Sequence, residues 1–175
     1  MHGQGKMKYA NGEYFEGSFL DNERSGEGRM FWPNGDFYDG EWENDNIEGS
    51  GKMTYSNGDI YIGDWIENEK WLKGKMNYTN GDVYEGDWLC DKRSGPQGKM
   101  TYDNGDFCEG WWSDDKIRSK HYYVKKTFNL DNEEDFPVKK GYVYEGQMKD
   151  NKFFGQGVLR NTDKEIVAQG LWQNN

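Results

Sequence analysis

FWPNGDFYDGEW, residues Phe31 to Trp42, crowds five aromatic residues around a Pro-Asn-Gly turn. Those rings are either a binding surface or the core of something too thin to have an ordinary one. The stretch returns as YANGEYFEGSF from Tyr9, YSNGDIYIGDW from Tyr55, YTNGDVYEGDW from Tyr78 and YDNGDFCEGWW from Tyr102. Aligning on the glycine inside "YEGDW" gives Gly17, Gly40, Gly63, Gly86, Gly110, Gly146 and Gly170, in steps of 23, 23, 23, 24, 36 and 24 residues. Self-similarity at such a period marks a repeat architecture.

Each copy holds two short alternating runs, such as Gly74–Tyr78 and Asp82–Trp88, around an Asn-Gly. That pattern reads as a β-hairpin, whose register decides which side chains share a face. A two-residue turn at Asn80-Gly81 would set Met76 opposite Glu85 and mix the faces. A three-residue loop, Thr79-Asn80-Gly81, sets Met76 opposite Tyr84, Lys75 opposite Glu85 and Gly74 opposite Gly86. Pro33 supports the second register, because its fixed φ suits the first central position of a type I turn and leaves Gly35 for the left-handed bulge position.

Two ladders follow. On one face Met7 meets Phe15, Met30 meets Tyr38, Met53 meets Tyr61, Met76 meets Tyr84 and Met100 meets Cys108, extended by Phe19, Trp42, Trp65, Trp88, Trp112 and Trp172. On the other, Lys6 meets Glu16, Arg29 meets Asp39, Lys75 meets Glu85 and Lys99 meets Glu109, while Ile62 spoils the pair at Lys52. Such cross-strand pairs contribute a few tenths to ~1 kcal/mol each. A glycine between Tyr84 and Trp88 leaves a hollow for a neighbour's ring. Most rings therefore read as the core of a thin sheet, with Phe37, Ile60, Val83, Phe107 and Val143 as a second apolar row on the charged side.

Composition agrees. Only 33% of the chain is hydrophobic while 17% is aromatic and 24 residues are glycine, too few aliphatics for a thick core. No apolar run approaches the ~18 residues of a membrane span, and no leader segment opens the chain. Cys90 and Cys108 lie where other copies use different residues, which favours a reducing compartment over a disulfide framework. A net charge of −10 argues against nucleic acid and weakens attachment to an anionic membrane.

Tyr84-Glu85-Gly86-Asp87-Trp88, followed by Gly-x-Gly as in Gly26–Gly28 or Gly49–Gly51 and then Asn-Gly at a period of 23, resembles the MORN (membrane occupation and recognition nexus) repeat. The resemblance covers nearly the whole chain in about seven copies, near 3–19, 26–42, 49–65, 72–88, 95–112, 120–148 and 155–172. It implies an all-β, elongated, single twisted antiparallel sheet of sequential hairpins, and a scaffold, dimerisation or membrane-contact module. Family members include phosphatidylinositol-phosphate kinases, in which catalysis lies in another domain. About 14 strands at ~4.8 Å each would span on the order of 65 Å. Both ends look cut within a repeat, so a fragment of a longer protein is expected.

Three departures stand out. The step from Gly110 to Gly146 carries an insertion; HYYVKK is expected as the first strand of hairpin six, with its turn enlarged over 128–140. Phe128, Asp131, Glu133, Glu134, Asp135 and Phe136 make that turn a candidate functional loop, although its acids lack an EF-hand pattern. Leu72 replaces the first glycine of Gly-x-Gly beside a Trp71 without counterpart. Ile62, Trp111 and Leu171 place apolar groups on the charged face.

Catalytic chemistry has little to work with: two histidines, His2 and His121, no Cys/His metal spacing, and Gly-x-Gly followed by strand rather than helix. No catalytic residue, cofactor or metal is expected. Three readings stay open: a scaffold for protein partners or self-association, a contact module for anionic phospholipid, and a small-ligand module with open aromatic cages. The scaffold is the favoured reading, in the cytoplasm or peripheral to membrane or cytoskeleton. Tyr38, Trp42, Tyr61, Trp65, Trp71, Tyr84, Trp88 and Trp112 are its candidate interaction surface.

Overall fold

The structure, a computed structural model of the 175-residue chain, describes residues 1–118, 121–128, 139–150 and 152–173, without the side chains of His121 and Tyr122. Its logic starts at the Asn-Gly turn. Trp32 N donates to Asp36 O and Gly35 N to Trp32 O, both at 3.0 Å, with Gly35 at φ 95°. Asn34 Oδ1 accepts from Asp36 N at 3.0 Å. The same closure recurs at Tyr9, Tyr55, Tyr78 and Tyr102, so the loop has three residues and Met30 faces Tyr38, Arg29 faces Asp39 and Gly28 faces Gly40.

Those turns join β1 (Gly3–Lys8) to β2 (Tyr14–Leu20), β3 (Glu23–Phe31) to β4 (Phe37–Glu43), β5 (Asn46–Thr54) to β6 (Ile60–Ile66), β7 (Glu69–Asn77) to β8 (Val83–Leu89), and β9 (Lys92–Thr101) to β10 (Phe107–Ser113). Beyond them lie β11 (Lys116–Ile117), β12 (His121–Thr127), β13 (Val143–Lys149), β14 (Lys152–Arg160) and β15 (Ile166–Trp172). All belong to one open antiparallel sheet in chain order, with β11 and β12 pairing successive parts of β10.

A second turn, not anticipated from the sequence, links one hairpin to the next. Asp21-Asn22, Asn44-Asp45, Glu67-Asn68, Cys90-Asp91 and Asp114-Asp115 all have both residues at φ between 48° and 77°. Two successive positive φ values give a type I′ turn, whose twist suits a hairpin. Its second residue carries an Asx side chain that caps the preceding repeat: Asp45 Oδ1 accepts from Arg24 N at 2.9 Å, Asn68 Oδ1 from Ile47 N at 2.8 Å, and Asp115 Oδ1 from Arg93 N at 3.0 Å. Along the opposite edge the acid of each Asn-Gly-Asp caps the following turn, Asp36 with Ser56 N at 2.7 Å and Asp59 with Thr79 N at 2.8 Å.

Among the described residues the inner face has no second layer to pack on, so its rings fold down over glycines. A Cβ on Gly63 would stand 2.5 Å from Lys73 O and 2.6 Å from both Gly74 Cα and Tyr61 Oη. Hairpin six breaks the periodicity. Cys108, in the tyrosine row, pairs with Val124, yet Val124 pairs with the marker Gly146. The rows thus step by two residues at β12, and the core divides into one cluster from Phe15 to Trp112 and another from Val124 to Leu159, with Cys108 packed against both.

Candidate interaction surface

Seven of the eight rings expected to offer a surface are interior. Tyr38, Tyr61 and Tyr84 are fully buried, and Trp42, Trp65, Trp88 and Trp112 are buried beside them. The glycine hollows explain this correction: each phenol lies across the backbone and donates to a carbonyl three residues on, as Tyr61 does to Asp64 O at 3.1 Å. Each indole donates to a glycine carbonyl of the neighbouring strand, Trp88 to Gly74 O at 3.2 Å and Trp112 to Gly98 O at 2.7 Å. The rings meet edge to face along the ribbon, Tyr38–Trp65 at 5.6 Å, Tyr61–Trp88 at 5.3 Å and Tyr84–Trp112 at 5.3 Å, a favoured arrangement for aromatic quadrupoles. Only Trp71 is half-exposed.

The cages between the indoles are filled by the chain itself. Arg24 lies 4.3 Å from the Trp42 ring centroid and Arg93 4.9 Å from that of Trp112. Lys70 Nζ sits 5.6–5.8 Å from the rings of Tyr55, Tyr61, Trp65 and Trp88 and 2.8 Å from Asp91. Burial lowers the Lys70 pKa, but the hydrogen bonds to Asp91 and Tyr55 outweigh it and hold the ammonium above its ordinary value. Ile47 plugs the equivalent place one hairpin earlier, facing Trp42. Cages so occupied do not offer the open ring pocket that a small-ligand module requires. The signal was available: a basic or apolar residue falls five positions after each of Phe19, Trp42, Trp65 and Trp88.

The outer face is different. Lys6–Glu16 and Arg29–Asp39 close at 3.0 Å, Lys75–Glu85 at 3.5 Å and Lys99–Glu109 at 4.0 Å, all solvated. Between them apolar side chains stay in contact with water: Phe31, Ile62, Trp111 and Tyr123 are 40–55% exposed. Phe31 packs on Phe37 with centroids 4.7 Å apart, and Phe107 stacks on Tyr123 at 5.7 Å.

Phe128, the one described member of the candidate loop, is buried, and Phe128 N donates to Tyr142 O at 2.9 Å to close the enlarged turn. Asp131, Glu133, Glu134, Asp135 and Phe136 lie outside the described residues. Beside the step at β12, Cys108 and Val124 are smaller than the tyrosine and methionine of regular repeats. An open cavity of about 500 Å³ follows, walled also by Tyr102, Asp106 and Lys126. Burial pushes the Cys108 thiol up, away from the thiolate that nucleophilic chemistry needs. Among the described residues no three His, Cys, Asp or Glu side chains form a group able to hold a metal, and no helix is long and apolar enough to cross a membrane.

The sequence model of the MORN repeat matches residues 1–14, 15–37, 38–60, 61–83, 84–107 and 144–164. No curated protein matches the sequence. Among solved structures, the TCP domain of Drosophila melanogaster SAS-4 (dCPAP), in complex with a Proline Rich Motif of Ana2 (dSTIL), is similar over 97% of this chain and 84% of that one, at 14% identity and a TM-score of 0.50. The TCP10c domain of Drosophila melanogaster Sas-4 matches over 96% and 93%, at 14% identity and a TM-score of 0.47. At that identity the likeness is one of fold.

Proposed function

The chain belongs to the MORN repeat family, and on that premise we propose that it is a non-catalytic scaffold which docks other polypeptides on the outer face of its sheet. The observation that carries this reading is the division of labour between faces: the inner rings are committed to one another, whereas Phe31, Ile62, Trp111 and Tyr123 remain exposed among solvated ion pairs. Exposed aromatic residues on a rigid sheet suit extended or proline-rich segments, which bring little ordering cost to a groove of rings. The fold likeness to a SAS-4 domain bound to a proline-rich motif supports the same class of partner. Free thiols at Cys90 and Cys108 suit a reducing, cytoplasmic setting.

The test is a peptide array that includes proline-rich segments, probed with wild type and with Phe31→Ser and Trp111→Ser. Scaffold action predicts binding by wild type that weakens in at least one variant. Absence of binding, or binding indifferent to both changes, sinks it. Flotation with vesicles of neutral lipid, phosphatidylserine, phosphatidic acid or phosphoinositide addresses the phospholipid alternative; headgroup-dependent flotation would replace the scaffold reading despite the charge of −10.

A further inference from the structure

Three departures from the repeat converge on adjoining strands. Ile62 stands where other hairpins carry Glu16, Asp39, Glu85, Glu109 and Glu145. Trp71 stands where they carry Ser25, Glu48, Ser94 and, in the last hairpin, Phe154, and Leu72 where they carry Gly26, Gly49, Gly95 and Gly155. The β6–β7 register sets Trp71 directly opposite Asp64 and Ile66 opposite Glu69. Ile62 and Ile66 flank Asp64 on the same face; Ile66, on the regular side, is a diagonal neighbour of Trp71 at roughly 7–8 Å, while the bulge residues Leu72 and Lys73 lie between Trp71 and the Ile62–Lys75 pair.

Leu72 is the informative member. It holds φ 49°, a left-handed conformation that the equivalent glycines adopt freely, and for a non-glycine residue that conformation is unfavourable. Nothing in the core offsets it, because the side chain is 55% exposed. Nor does the bulge need a leucine. Lys73 N donates to Asp64 Oδ2 at 3.2 Å just as Ser50 N donates to Glu41 Oε1 at 3.1 Å where the bulge residue is glycine. What Leu72 adds is apolar surface on the outer face: although the β7–β8 register sets it opposite Trp88, a Cβ on the equivalent Gly49 and Gly95 points at the side chains of Glu41 and Asp87, which hold Asp64's place in their hairpins.

The charge around the patch is one-sided. Lys73 and Lys75 are committed to Asp87 and Glu85 at 2.5 and 3.5 Å. Among the described residues Glu43, Glu48, Glu67 and Glu69 form no ion pair, against Lys52 alone on the basic side. We propose that Ile62, Ile66, Trp71 and Leu72 form a docking point for a polypeptide segment that combines large apolar residues with lysine or arginine. The apolar residues would cover the patch and the cations would meet the glutamate rim, as complementary interfaces do. This deepens the scaffold reading and rests on it.

The test uses a short synthetic peptide alternating lysine and leucine, its glutamate–leucine counterpart, and the double variant Trp71→Ser/Leu72→Gly, which restores the Ser-Gly of Ser25-Gly26 and Ser94-Gly95. Wild type should bind the lysine peptide and not the glutamate peptide, and the variant should bind it at least roughly tenfold more weakly, the loss expected for an aromatic anchor. Leu72→Gly alone should raise Tm by roughly 2–4 °C through relief of the left-handed residue. Undiminished binding by the double variant, no binding by wild type, or a lower Tm for Leu72→Gly overturns the proposal. The broader scaffold reading fails separately, on the peptide array and the Phe31 and Trp111 variants.

Discussion

The two faces of the sheet are built from alternate residues of the same strands and behave oppositely. On the inner face rings, glycines and cage-filling cations fix one another, and among the described residues no buried side-chain nitrogen or oxygen lacks a partner. On the outer face, ion pairs of 3.0–4.0 Å stand in water beside exposed rings. A lone sheet ordinarily has no place to hide a hydrophobic face. Here the covering layer comes from the side chains themselves, lowered onto backbone that carries no Cβ, which leaves the other face with only solvated ion pairs and bulge caps to make.

The comparison can be broken by four measurements. The largest effect is expected from Gly63→Ala, whose methyl would meet strand β7 and the Tyr61 phenol; a cost of about 3 kcal/mol in urea unfolding fits an overpacked site. Less than about 1 kcal/mol would mean that the rings move aside easily. Next comes alkaline pH. Burial pushes Tyr144 up to about 12 and raises Tyr38, Tyr61 and Tyr84 further. A raised phenol pKa contributes stability that is complete below the unfolded value of ~10 and is lost as pH rises through the folded one. Unfolding free energy should therefore fall above about pH 10, and a flat profile to pH 12 would contradict the burial.

Asp45→Ala should cost about 1 kcal/mol, since its carboxylate caps Arg24 N and holds the guanidinium on Trp42. Burial raises the Asp45 pKa, but the hydrogen bonds from Arg24 outweigh it and leave it lowered. Its contribution is therefore present above ~4 and lost as pH falls through the lowered value, so the wild-type advantage should vanish in acid. The smallest effect belongs to Asp39→Ala on the outer face: within about 0.5 kcal/mol, as for exposed pairs in general. A larger loss there would show that the outer face is structural too.

Much of this was legible in the sequence. Pro33-Asn34-Gly35 announced the three-residue loop, and the loop fixed the register, the Met–Tyr ladder and the outer ion pairs. The type I′ turns were not legible because Asn44-Asp45 or Cys90-Asp91 carries no glycine; the left-handed residues are paid for by Asx caps to another repeat, a contact that only the assembled sheet supplies. Naming Tyr38, Trp42 and their counterparts as surface failed for a related reason. Alternation says which face a ring takes but not whether it stands up or lies down, and that depended on glycines one strand away. The step at β12 was hidden by the insertion, since the count from Trp112 places Tyr122 correctly against β10 and says nothing of how β13 will pair.

The caps run in opposite senses on the two edges. Along the Asn-Gly edge Asp36 and Asp59 reach forward to Ser56 and Thr79; along the other, Asp45, Asn68 and Asp115 reach back to Arg24, Ile47 and Arg93. Each interior hairpin is thus tied once in each direction, like a link in a two-row zip fastener. Excising one whole period from the regular half would let both rows re-engage, and the extra residue at Pro96-Gln97 is tolerated because it lies within strand β9, between the two rows, where Asp115 still reaches Arg93. Length in this chain can change in whole teeth, or between the two rows, without unfastening either.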